Sequence, residues 1–154
     1  MEVRTILPFA DWVVARDGSR TGDPLWSVQA YRLASYAIAC HYFDRQARPG
    51  LAKAANLDQL TRAIGSIAAN IGEGYSRPSM PDQSRFYAYA LGSTREAIDW
   101  YDVFRLEVGD AADDRQAILI QIRRLLLTML RNAHSENDRA AMSRHASPKP
   151  ARDN

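Results

Sequence analysis

The chain has 154 residues, 46% hydrophobic and 25% charged, enough for one ordinary globular domain; this excludes wholesale disorder, a collagen-like repeat and a membrane-spanning bundle. Twenty basic residues against 18 acidic ones leave a net charge of +2, a smaller surplus than a protein built to neutralise phosphates usually shows. One cysteine, Cys40, excludes an intrachain disulfide and a cysteine-rich zinc site, and with no apolar leader the expected location is the cytoplasm.

Residues 1–23 are mixed and end in the turn-prone run Asp17-Gly18-Ser19-Arg20-Thr21-Gly22-Asp23-Pro24, so they read as an N-terminal extension. From about Trp26 to Gln46 the pattern is helical: Trp26, Ala30, Leu33, Ala37 and Cys40 recur at steps of three and four, and Arg48-Pro49-Gly50 breaks the run. A second helix is predicted from Leu51 to Tyr75, with a seam of Leu57, Leu60, Ile64, Ile67 and Ile71. Gly65 and Gly72 weaken a helix interior, and close approach of a neighbouring backbone is the compensation expected there. Ser79-Met80-Pro81-Asp82 opens a third helix as N-cap, first turn and capping acid. Its predicted seam is Phe86, Ala90, Ser93, Ala97, Trp100 and Phe104, and Gly109 is the expected stop. The fourth carries Ile118, Ile122, Leu125 and Met129 to about Ala133, after which the polar sequence predicts a flexible tail over 135–154. Four amphipathic helices without a strand candidate predict an all-α, up-down four-helix bundle over residues 24–134.

The apolar surface exceeds one seam per helix. Leu125-Leu126-Leu127 fan over roughly 200° of arc, and Tyr87, Tyr89, Leu91, Ile98 and Tyr101 add a second face to the third helix. The expected cover is a partner copy, or else the N-terminal segment with Ile6, Leu7, Phe9 and Trp12.

Chemistry-bearing constellations are sparse. No two histidines have the spacing of metal ligands, and adjacent Cys40 and His41 diverge around the helix, so His41 reads as a core or boundary residue. Glu96, Asp99 and Asp102 step along one helix as either an acidic site or a solvated face beside Arg95 and Arg105. The expectation is therefore no enzyme, no metal and no cofactor. Eighteen of the basic residues are Arg, and Arg62, Arg77, Arg85, Arg123, Arg124 and Arg131 are the candidates for RNA or DNA contact.

The run Gln59-Leu60-Thr61-Arg62-Ala63-Ile64-Gly65-Ser66-Ile67-Ala68-Ala69-Asn70-Ile71-Gly72-Glu73-Gly74-Tyr75-Ser76-Arg77 continues through Ser79, Asp82, Arg85-Phe86 and Ala90-Leu91-Gly92-Ser93 to Glu96. Without a gap, it resembles the central pattern of the 23S ribosomal RNA intervening-sequence family: Q-L-R-R-A-x-x-S-I-x-x-N-I-A-E-G-x-x-R, then S-x-x-E-F-x-R-F-L-x-x-A-x-G-S-x-x-E-L. Thr61 stands where that pattern has its first Arg, Gly72 replaces Ala, Asp82 replaces Glu, and Gln83 replaces Phe.

The resemblance implies a four-helix bundle assembled as a homopentamer, usually of unknown molecular role. Related accessory proteins of diversity-generating retroelements are strongly basic pentamers that bind nucleic acid and a reverse transcriptase. The near-neutral balance here is closer to the first group. Within the motif, Ser66, Gly92 and Ser93 are expected to permit tight helix crossing, with Asn70, Glu73 and Glu96 near it as polar groups that bond across it or cap a helix end, and Gly74 as a structural residue that weakens the helix near its end; a pocket built from Asn70, Glu73 and Ser93 is the alternative. The leading expectation is an oligomeric scaffold or adaptor working by protein–protein contact, and the other is a nucleic-acid-binding accessory protein.

Overall fold

The computed structural model describes residues 5–20 and 22–146, with side chains to residue 143. Its elements in chain order are α1 (Phe9–Arg20), a 3-10 turn (Pro24–Ser27), α2 (Gln29–Ala47), α3 (Pro49–Ala52), α4 (Leu57–Tyr75), α5 (Met80–Val103), α6 (Arg105–Val108) and α7 (Ala111–Ala146). No strand occurs among the described residues.

Local chemistry sets the boundaries. Asp23 accepts a bond from the Leu25 amide at 3.0 Å and opens the 3-10 turn. Arg48 is extended ahead of Pro49, whose ring disfavours the helical conformation in the residue before it, so α2 ends there. Ser79 caps α5 through the Asp82 amide. Gly109, at φ +65°, turns the chain between α6 and α7. The second predicted helix begins six residues later than expected, because Asn56 takes a left-handed conformation (φ 63°) and separates α3 from α4.

The four long helices close a ring in which every neighbouring pair is antiparallel. His41 of α2 meets Thr61 of α4, whereas Tyr31 lies beside Gly72. Asp44 of α2 meets Arg115 of α7, whereas Leu33 and Leu125 line one depression further along. Asp102 of α5 meets Gln116 of α7, whereas Met80 and Ser84 lie with Ala133 and His134. Gly74 of α4 packs on Tyr87 of α5 across a four-residue connection. This is the up-down bundle.

The α4 seam is buried as predicted, from Leu57 to Ile71. On α5 and α7 the buried stripe is rotated by about one residue from the expected one. Tyr87, Ala90, Thr94, Ala97, Tyr101 and Phe104 face the core of α5; Ala112, Leu119, Ile122 and Leu126 face that of α7. Phe86, Ser93, Trp100, Ile118, Leu125 and Met129 are only half-buried, at the flanks. Small shared positions such as Ala90 and Ala97 satisfy both stripes, and the larger Tyr87 and Tyr101 fill the interior.

One further expectation is corrected, and the N-terminal extension takes a definite structure. Residues 9–20 of the extension form α1, whose Trp12 joins Trp26, Tyr36 and Cys40 in a second core against α2. Tyr36 Oη donates to the Leu7 carbonyl (2.8 Å), Trp26 Nε1 donates to Asp17 (2.7 Å), and Arg16 lies over the Trp12 ring. At the other end, the stretch expected to be a flexible tail stays helical to Ala146, having neither glycine nor proline before Pro148 to stop propagation. Residues 147–154 of that expected tail lie outside the described residues.

Candidate functional site

The densest polar chemistry lies inside the bundle, where α2, α4 and α7 meet. Asp44 is fully buried; it accepts from Arg115 Nε (2.8 Å) and Nη2 (3.0 Å), and from Arg48 Nη1 (2.6 Å). The fork from Arg115 is the bidentate geometry that makes such pairs strong. Burial disfavours the charge on Arg115, but the bonds to Asp44 outweigh it and hold the guanidinium pKa above its ordinary value.

One turn away His41, 1% exposed, bonds through Nε2 to Thr61 Oγ1 at 2.8 Å. The Thr61 hydroxyl donates to the Leu57 carbonyl (3.0 Å), so it accepts from His41 and fixes the Nε2–H tautomer. Burial, then Arg45, pushes the imidazole pKa down to about 4, so the ring is neutral at pH 7. Its Nδ1 has no partner among the described residues. His41 is thus the core residue expected, and the threonine standing where the family pattern has Arg serves it as acceptor. Cys40, buried beside Tyr36, has its thiol pushed up to about 11 by burial, which makes it inert at neutral pH.

The sequence pattern missed Asp44, Arg48 and Arg115 as a unit. The available signal was an acid and an arginine each within three or four residues of buried positions on two helices. Neither belongs to an i, i+4 pair with the other, so only the antiparallel packing of α2 and α7 joins them.

Ser66, Gly92 and Ser93 are not the crossing groups expected. Ser66 and Ser93 are half-buried, and Gly92 is exposed with nothing within 4 Å of a Cβ built on it; the same is true of Gly65, so neither glycine compensates by close approach. The tight crossing is at Gly74, where a Cβ would sit 2.7 Å and 2.9 Å from ring carbons of Tyr87. At Gly72 the close neighbours are the Leu25 and Tyr31 side chains, not a backbone. Asn70 donates to the Ser66 carbonyl within α4 (2.8 Å), Glu73 pairs with Arg77, and Glu96 is exposed; none bonds across to the facing helix. Asp102 holds Arg105 and Gln116, which keep its carboxyl below the usual range, Gln116 foremost.

The six arginines separate into two kinds. Arg62 pairs with Asp58 (3.2 Å), Arg77 with Glu73 and Arg85 with Asp82 (3.0 Å), each within one or two turns of chain. Arg77 and Arg85 also flank the Phe86 ring at 4.9 and 5.5 Å. Among the described residues, Arg123, Arg124 and Arg131 of α7 make no ion pair. Arg124 and Arg131 line one hollow of about 380 Å³ with Leu127 and Thr128.

Among the described residues no group of three or more His, Cys, Asp or Glu could hold a metal ion, and no helix is long and apolar enough to cross a membrane. A family model described as 23S rRNA-intervening sequence protein matches residues 29–126, which span α2 through most of the bundled part of α7 and leave α1 outside. No curated protein and no solved structure matches the chain.

Proposed function

Because the chain belongs to the 23S rRNA-intervening sequence protein family, we propose that it is a non-enzymatic, homo-oligomeric helical scaffold that works by protein–protein contact in the cytoplasm. Five copies is the number that the family resemblance implies. The observation supporting this reading is the apolar surface left outside both cores. Tyr89 (54% exposed), Val103 (63%) and Leu106 (93%) face water, with Tyr75 and Leu127 at 40% each, although α1 has already covered the Tyr36 and Cys40 side of α2. Sedimentation velocity on the untagged protein at micromolar concentration tests it: a discrete oligomer is expected, and a monomer refutes the scaffold.

A second reading, nucleic-acid contact, is favoured by Arg123, Arg124 and Arg131 alone, since the other three arginines are matched by carboxylates. Binding to mixed-sequence RNA and DNA across a salt series separates the two. Phosphate contact loses affinity steeply between ~50 and ~200 mM salt, and Ala at Arg123 and Arg124 then weakens all sequences alike. Absence of binding at low salt eliminates it.

A further inference from the structure

Two surfaces at different levels of the bundle carry opposite charge around exposed apolar side chains. The first is a knob at the α5–α6 corner, where Leu106 is the most exposed large apolar side chain and Val103 stands beside it. Glu107 and Asp110 flank it, both exposed and in no ion pair among the described residues, because Arg105 takes Asp102 and Asp113 instead. The second is the hollow on α7, lined by Leu127 and Thr128 between Arg124 and Arg131, neither matched by a carboxylate. Leu127 is 16 residues into α7, about 24 Å from its start at 1.5 Å per residue, so the knob of one chain cannot reach its own hollow.

We propose that Leu106 of one copy seats in the Arg124–Leu127–Thr128–Arg131 hollow of the next, with Glu107 and Asp110 set against the two arginines. This specifies the contact within the oligomeric-scaffold reading and rests on it. The contact is heterologous: each copy offers a knob to one neighbour and a hollow to the other, the arrangement that generates a closed ring when the rotation closes. It buries an exposed leucine against an apolar floor, and the charges set register and partner choice. It also withdraws Arg124 and Arg131 from any phosphate.

Charge reversal tests it by sedimentation equilibrium, with circular dichroism confirming unchanged helicity. Arg124→Glu/Arg131→Glu and Glu107→Arg/Asp110→Arg are each expected to raise the dissociation constant at least tenfold. The quadruple variant, with both surfaces reversed, is expected to return to within threefold of wild type. Leu106→Asp, at a side chain 93% exposed in the single chain, is expected to dissociate the assembly as well. An oligomeric wild type whose variants all stay assembled refutes this contact and leaves the scaffold standing. So does dissociation by both pairs without recovery in the quadruple variant. A monomeric wild type refutes both.

Discussion

Arg115→Met tests the account of the interior most directly. The substitution keeps the aliphatic bulk of the arginine and removes the fork that gives Asp44 two of its three charged bonds. Removing one partner of a buried ion pair costs about 3–5 kcal/mol, because the other charge is left without its counter-ion in a poor solvent. Arg48 remains on Asp44 Oδ1 and is itself about one-quarter exposed, so the lower end of that range applies, about 3 kcal/mol. For a chain of this length that lowers Tm by roughly 6–12 °C. The partner experiment is Asp44→Leu together with Arg115→Met, which removes both charges and is expected to cost less than the single change despite altering two residues. Urea unfolding followed by far-UV circular dichroism, at one fixed protein concentration so that any assembly contributes equally, gives both numbers. A single-variant loss below about 1 kcal/mol, or a double variant worse than the single one, refutes the claim that this pair is buried and mutually dependent.

His41 gives a pH signature. Its folded pKa near 4 lies below the value of about 6.5 in an unfolded chain, so between those values the unfolded state binds the extra proton. Stability is therefore fully present above about pH 6.5 and falls as pH drops toward 4, by roughly 3 kcal/mol from this residue. His41→Gln is expected to flatten that part of the stability profile relative to wild type; parallel profiles would refute it. The glycines of α4 should separate by sign: Gly65→Ala meets nothing within 4 Å and gains about 1 kcal/mol of helix propensity. Gly74→Ala drives a Cβ into the Tyr87 ring and loses about 1–3 kcal/mol, read as a fall in Tm.

Much of the bundle is legible in the sequence because repeated burial leaves a periodic trace. The steps from Leu57 to Ile71 and the Ser79 cap each correspond to one physical requirement in one place, whereas the third helix stops at Val103 and the Gly109 expected to end it follows the separate α6. The register of α5 was not, since Phe86 and Trp100 lie one residue from Tyr87 and Tyr101 and all four are aromatic; periodicity alone does not choose between adjacent stripes. The helical end of α7 is polar and patternless, so only the lack of a breaker marked it. The Asp44–Arg115 pair joins positions 71 residues apart, a distance across which no local spacing carries information. The candidate arginines were visible as a set, but which of them already hold a carboxylate depended on side-chain placement.

The length of α7 has a mechanical consequence. At 36 residues it spans about 54 Å, against about 36 Å for the 24 residues of α5 beside it. Residues 135–143 are exposed, Asn137 bordering a hollow with Met80, Pro81 and Ser84 of α5, and the helix runs on past that end of α5 as a rod continuous with the bundled segment. Such a rod transmits force and orientation from its tip to the hydrophobic interior without an intervening joint. A load attached there is held at a set angle and distance from the body, instead of swinging on a tether.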